Sequence, residues 1–515
     1  RLPEPTRSLL VVASVVGRDF DLAVVAAASQ MDRDETVGLI EAAVATGIVV
    51  EESARPGRYR FSHALVRDTV YSQIGGLRRA RLHARVGEAV ADLPDVGGRT
   101  AELAHHFFRA AVVDGPGRGL AYALLAHEEA RSSLAYEQAE EHLRRALELV
   151  AMMPVGQERM RSELRVQNRL AAVLTVVDGF TAPTATRGWD RAGQLSDEVD
   201  DDLQGLASSW GLLSLSCVRG DVEATSRLAR QLVLTGADPS DTASLMAGHF
   251  GLGRAALFCG DLREALARFS QARVLCDSLD DRARLDVFGW LDPAVLCRVN
   301  AALVHGLLGE QELAADRAAV GVQVAERAGH PLSVGASLMF NAAVAVLAGD
   351  PCVVRRHGDR LLALATEHGL PDFVAAATIF RGWAAARLGE VDRGIAEIGE
   401  GIAMKRATGF RMWQTFDLGL LAETCRSGGR LDEAVAAVEE AVAQIEATGE
   451  RFYEAELFRL RAELLIDRDP DATEQARTGL AKAIAVATSQ GAEPFRTRAE
   501  AALARLAGQA VTVPR

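Results

Sequence analysis

The residues that could do chemistry are few and scattered. Glu102, His105 and His106 share one helical stretch, and Glu-x-x-His is a spacing that can ligate a metal inside a helix bundle. A metal there needs further ligands from facing helices, and the sequence offers none at matching places, so packing and solvent contact is the expected role. The six cysteines, Cys217, Cys259, Cys276, Cys297, Cys352 and Cys425, form no CxxC and have no histidine at zinc spacing, so buried free thiols in a reducing compartment are expected. The only lysines are Lys405 and Lys482. Neither follows a GxxxxGK[ST] run, so no phosphate-cradling loop is present. G-x-S-x-G, H-E-x-x-H and an Asp-rich metal loop are also missing. The expectation is a chain that is not itself an enzyme, with no metal and no cofactor of its own.

Composition points the same way. Of 515 residues, 49% are apolar but only 5% aromatic, which suits closely packed, alanine-rich helices. A net charge of −13 disfavours wrapping nucleic acid by charge alone. No apolar run is read as long enough to cross a membrane, and no signal peptide is read at the start, so a cytoplasmic protein with no membrane partner is expected. The chain opens Arg1-Leu2-Pro3 without Met, which suggests a piece of something longer.

The elements of residues 1–95 read as a small module. Helices are expected over Glu4–Gly17, Phe20–Gln30 and Arg33–Thr46, then a strand at Ile48–Glu52, a turn at Ala54–Gly57 and a return strand at Tyr59–Phe61. Ser62 is expected to cap a helix from His63 to Ile74, followed by another from Leu77 to Leu93. Three helices, a two-stranded wing and a following helix make a winged-helix pattern. The third helix begins Arg33-Asp34-Glu35, and the module holds twelve basic against thirteen acidic residues, which argues against docking on DNA. Arg78, Arg79, Arg81 and Arg85 form a basic stripe, read as a solvated or interdomain face.

The run Arg58-Tyr59-Arg60-Phe61-Ser62-His63-Ala64-Leu65-Val66-Arg67-Asp68-Thr69-Val70-Tyr71, with Arg79-Ala80-Arg81-Leu82-His83 after it, resembles the winged-helix segment that follows the ATPase core of bacterial STAND-type regulators. These include the large LuxR-type and actinomycete antibiotic-pathway activators. The resemblance implies a winged helix that locks over bound ADP, with His63 as the phosphate contact at a helix N-terminus. The alternative is that His63 caps its helix and packs against the wing. The resemblance also implies ATP or ADP as cofactor of the parent protein and an upstream ATPase domain of the same chain as partner. DNA would be bound only through a domain outside this sequence.

Residues 96–116 are expected to form a linking helix. Beyond it, a face of three residues, spaced four and then three, recurs. Its copies begin at Ala139, Ala185, Ala224, Ala265, Ala314, Val354, Gly394, Ala434 and Ala476, which are 46, 39, 41, 49, 40, 40, 40 and 42 residues apart. In the fourth copy the face is Ala265/Phe269/Ala272, and in the third Ala224/Leu228/Gln231. Gly220, Gly260, Gly309, Gly349, Gly389 and Gly429 precede it as turn residues, and a second glycine ends each pair. So regular a period marks a solenoid of helix pairs. It resembles the tetratricopeptide repeat, with a longer unit. The fold class expected is all-α: a winged-helix module with a small β-hairpin, then a right-handed α-solenoid of about nine tetratricopeptide-like helix pairs over 117–491, a capping helix over 492–508 and a tail over 509–515.

Such arrays bind along the concave face made by first helices. Residues there that break the apolar pattern are the candidates for an effector or partner: Trp210, His249, Phe250, Arg254, Arg298, Asn300, His305, Asn341, Arg381, Trp383, Trp413 and Asp417. For the aromatics the competing role is packing between repeats, and for the polar residues solvated surface. Two functions stay open. One is the regulatory and sensor portion of a signal-transduction ATPase that activates transcription, with a small-molecule or protein effector on the concave face. The other is a protein–protein interaction scaffold without nucleotide-linked switching.

Overall fold

The computed structural model describes residues 2–52, 55–93, 98–236, 241–279, 287–288 and 291–511. The chain divides into two compact units, Arg1–Leu170 and Ala171–Arg515. Ala54 of the expected turn lies outside the described residues, as do residues 512–515 of the expected tail.

The first unit begins α1 (Glu4–Val16), β1 (Asp19–Asp21), α2 (Leu22–Ser29), α3 (Arg33–Ala45), β2 (Val49–Glu51), β3 (Arg58–Phe61), α4 (Ala64–Ser72) and α5 (Gly76–Ala91). Helices Thr100–Asp114, Pro116–Ser132 and Tyr136–Ala151 follow. The expected two-stranded hairpin is a three-stranded antiparallel sheet of order β1-β3-β2, with Phe20 opposite Tyr59 and Val50 opposite Arg60. Asp19-Phe20-Asp21 therefore extends a strand instead of opening a helix. The gain is burial: Phe20 lies with Phe61 at 5.6 Å between ring centroids, both inside a core with Leu9, Val25, Ile40, Val86 and Phe107. Asp32 caps α3 by accepting from the Asp34 N–H at 2.9 Å. Ser62 does not cap α4; His63 holds that position without a side-chain cap, and the Ser62 hydroxyl donates to the Gly47 carbonyl instead.

The second unit is a succession of antiparallel helix pairs: Asp202–Val218 with Val222–Thr235, Thr242–Cys259 with Leu262–Ser278, Pro293–Leu308 with Gln311–Ala328, and Pro331–Ala348 with Pro351–Glu367. Pro371–Arg387 with Val391–Thr408, Gln414–Ser427 with Leu431–Thr448, Glu454–Arg468 with Thr473–Gln490, and a last helix Glu493–Val511 follow, and Pro183–Glu198 precedes them all. It is an all-helical repeat scaffold. Six of these seven pairs turn on a left-handed glycine, Gly260 at φ 83° among them, while the last pair is joined through Asp469–Ala472. Where the next residue is an aspartate, as at Asp221, Asp261 and Asp350, its side chain caps the second helix; Asp221 accepts from the Ala224 N–H at 2.9 Å.

The small–large–small face is the packing seam. Ala265, Phe269 and Ala272 are fully buried, as are Ala185, Ala192, Ala434, Ala441, Ala476 and Ala483. At Gly394 the seam reaches backbone contact: a Cβ there would stand 2.5 Å from the Gly382 carbonyl oxygen and 2.5 Å from the Ala386 Cβ. One copy is displaced. Ala224 and Leu228 are only half-buried and Gln231 is exposed, whereas Thr225, Ala229 and Leu232 face inward. The Thr225 hydroxyl makes this possible by donating to the Asp221 carbonyl at 2.7 Å and meeting Ser216 Oγ at 2.9 Å. Moved by one, this copy begins 40 residues after Ala185 and 40 before Ala265.

The helix Pro331–Ala348 corrects the reading of apolar runs. It has 18 residues without a charge and a mean hydropathy of 1.7, long and apolar enough by composition to cross a bilayer. Here 89% of it is buried within the unit, as befits a helix that is apolar all round at the core of a repeat scaffold. The thiols also differ from the uniform burial expected: Cys259 and Cys352 are exposed, while Cys217, Cys276, Cys297 and Cys425 are buried.

Candidate functional site

The array closes on itself. The Arg411 and Met412 N–H groups both donate to the Val218 carbonyl at 2.9 Å, and the Phe180 N–H donates to Asp372 Oδ2 at 3.1 Å. Further along, the Arg451 N–H donates to the Phe258 carbonyl at 2.6 Å, and the side-chain amide of Gln490 donates to the Arg451 carbonyl at 2.7 Å. Segments roughly 190–230 residues apart thus fill what would otherwise be an open concave groove. Next to Arg411 and Met412 in the chain stands Trp413. It sits at φ 63°, an uncommon conformation for a bulky side chain, with its N–H held by Glu450 Oε2 at 2.9 Å and its ring 4.6 Å from Phe340.

This closure overturns the expected open face for most of the candidates. Trp210, Arg254, Asn300, Asn341, Trp383, Trp413, Phe250 and Asp417 are all buried. Trp210 packs against Phe250 and Phe288 at 5.3 and 5.0 Å. Asn341 donates to the Ala318 and Ser337 carbonyls, a packing role. Asp417 pairs with Lys405, which also donates to the Met412 carbonyl at 2.9 Å. Burial pushes the Asp417 carboxyl above its usual range, and Lys405 pulls it back. Burial likewise raises the Glu450 and Asp372 carboxyls, against the hydrogen bonds they accept. The outer candidates make surface contacts: Arg298 with Asp277 at 2.9 Å, Arg381 with Asp359 at 2.8 Å, His305 with Glu310, and His249 with Arg268 at 3.1 Å.

Two candidates do come together, around a cavity of about 60 Å³. Arg254 Nη1 donates to Asn300 Oδ1 at 2.8 Å, and Asn300 Nδ2 donates to the Leu296 carbonyl at 2.9 Å. The Arg254 guanidinium also lies over the Phe258 ring, 4.7 Å from its centroid, and against Met412 Sδ. The walls include Phe180, Phe250, Phe340, Phe373 and Phe410, with the Ser214 hydroxyl and Cys217 thiol among them. Phe180, Phe340, Phe410 and Met412 were not candidates by sequence. The available signal was Phe410-Arg411-Met412-Trp413, a loop too apolar to stay in water.

In the first unit, His63 is exposed at the start of α4 and makes no side-chain cap. Arg78, Arg81 and Arg85 line a groove of about 280 Å³ with Leu9 and Met31. Glu102 pairs with Arg99, while His106 is buried with its Nδ1 2.9 Å from His83 Nδ1, and the Tyr71 hydroxyl meets His83 Nε2 at 2.9 Å. Among the described residues no group of three or more His, Cys, Asp or Glu could hold a metal ion.

No protein-family model matches the chain. An uncharacterized protein of Rhizobium meliloti (strain 1021) is 24% identical over 465 residues, 88% of this chain and 44% of that protein. The chain thus spans less than half the length of the curated relative it matches. Among solved structures, the chain is similar to the APC/C hetero-tetramer Cut9–Hcn1 at TM-score 0.45 and 13% identity, over 85% of this chain and 78% of that one. It is similar to the signal transduction ATPase with numerous domains (STAND) with a tetratricopeptide repeat sensor from Pyrococcus horikoshii at TM-score 0.38 and 11% identity, over 96% and 66%. It is similar to a Rap protein complexed with competence and sporulation factor at TM-score 0.38 and 12% identity, over 76% and 99%.

Proposed function

We propose that this chain is the regulatory and sensor portion of a larger nucleotide-dependent switch that activates transcription. The repeat array receives an effector, and the first unit passes its state to an ATPase segment elsewhere in the whole protein. The observation that carries the sensor half is Arg254: a scaffold that only displays outer surfaces gains nothing from a buried guanidinium beside a cavity. The order helix, strand, two helices and two strands in the first unit supports reading it as a winged helix. Leu65 and Leu77, 79% and 63% exposed, flank His63 and Arg78 and give that unit an apolar and basic face suited to an ATPase segment.

In this reading ATP or ADP belongs to the parent protein, His63 approaches a phosphate, DNA is bound by another segment, and the chain catalyses nothing itself. The six unpaired cysteines support a cytoplasmic setting. The test is ADP binding by the complete protein, with and without His63→Ala. Tight binding weakened by the substitution is expected. Unchanged affinity removes His63 from the site, and no nucleotide binding at all leaves the interaction scaffold as the function.

A further inference from the structure

Three cations are buried among the described residues: Arg254, Lys405 and Arg459. Lys405 faces Asp417, and Arg459 faces Glu456 at 2.7 Å and Glu463 at 2.6 Å. Arg254 is 3% exposed, and its recorded partners are an amide oxygen, a thioether and a ring face, none of them charged. An arginine cannot escape burial by losing its proton, so its charge persists in any state of the protein. A fork of five N–H groups with two engaged keeps donors free. Charges buried without a counter-ion are rare because they are costly, and a cavity beside one is the place where an anion gains most.

We propose that the cavity at Arg254 binds a small, largely apolar organic acid, its carboxylate on the guanidinium and its body among the phenylalanine rings. A single cation with no second basic group in the lining matches a monoanion and leaves a phosphate dianion uncompensated. The five phenylalanines of the wall offer nothing to a fully polar solute but accept an aliphatic or aromatic body. The free volume of about 60 Å³ favours a compact occupant, and Met339 and Met412 can shift to widen it for a ring. Met412 is the group that a carboxylate oxygen displaces from Arg254, and it immediately precedes the left-handed Trp413. Occupancy is therefore felt by the segment that seals the bore. This regulatory consequence rests on the sensor reading; the binding itself does not.

The 515-residue chain is titrated with benzoate and with butyrate, and in parallel with benzamide and butyramide, following the thermal midpoint and the heat of binding. At a ligand concentration roughly a hundredfold above Kd, the acids raise the midpoint by about 2 °C or more and the amides do not. Arg254→Met abolishes the acid effect. Asn300→Asp supplies an internal carboxylate, so it also abolishes the effect while raising the ligand-free midpoint, which decides the matter if Arg254→Met folds poorly. Arg381→Met, an outer cation, leaves the effect intact. The proposal is overturned if the acids act no better than their amides, if the effect survives Arg254→Met or Asn300→Asp, or if inorganic phosphate matches it. An acid that binds this chain but leaves ADP affinity of the complete protein unchanged upholds the site and removes the sensor reading. A nucleotide switch with no acid binding does the reverse.

Discussion

The two units bury polar groups in opposite ways. In the first, His83 and His106 face each other across 2.9 Å, with Tyr71 completing the chain of hydrogen bonds. Burial lowers the His83 pKa to about 2 and the His106 pKa to about 3, helped by the neighbouring histidine rings and by Arg67, Arg79, Arg99 and Arg109. Both rings are neutral at pH 7, one Nδ1 donating and the other accepting. In the second unit, the interior keeps its charges: Lys405 with Asp417, and Arg459 with Glu456 and Glu463. A histidine can shed its proton to enter a core, whereas an arginine must find a counter-ion. That contrast is what makes Arg254 stand apart from every other buried group around it.

The sharpest way to break the contrast is to remove one partner of a paired charge. Asp417→Ala strands Lys405 and should cost about 3–5 kcal/mol, read as a lower urea midpoint. Arg254→Met, which removes a charge that has no partner, should cost less than about 1 kcal/mol or stabilise. Equal losses from the two would erase the distinction. The seam is tested by Gly394→Val, whose Cβ has no room beside the Gly382 carbonyl; a loss of about 3 kcal/mol is expected.

The histidine pair gives a pH signature. Its folded pKa values lie below the unfolded 6.5, so its stability is fully present above pH 6.5 and is lost as pH falls from there toward 3. Each ring contributes a slope approaching 1.4 kcal/mol per pH unit, about the value of one proton taken up only by the unfolded chain. Denaturation at pH 7 and pH 5 should show the first unit weakening, and His106→Asn should flatten the slope. Least of all, Arg381→Ala breaks an outer pair with Asp359 and should change stability by under about 0.5 kcal/mol.

The repeat was legible because its seam is written in residue size: in six of the nine copies alanine or glycine, a large residue, then alanine or glycine recur at a nearly fixed interval. The copy near 224 misled because Ala224/Leu228 and Thr225/Ala229 both fit a spacing of four, and size alone favours alanine over threonine. Only the Ser216 and Asp221 partners of Thr225 settle the choice, and those come from the fold. The strand at Phe20 was hidden for a related reason, since its partner Tyr59 lies far along the chain. Periodicity found the faces of Trp210, Arg254 and Trp413 but not their burial. It reports which side of a helix turns inward and is silent on whether a later turn of the array covers that side.

The closed bore also sets an order of events during synthesis. Arg254 and Met412 are separated by 158 residues. At the ribosome's ~5–20 residues per second, the helix bearing Arg254 waits about 8–30 s before the segment that seals it has been made. Until then Arg254, and Phe340 once it has been made, lack the segment that covers them, on a nascent chain that cannot yet finish its own interior. The protein therefore depends on its later half to make its earlier half soluble, and a stalled or truncated product would expose the aromatic lining that the finished molecule hides.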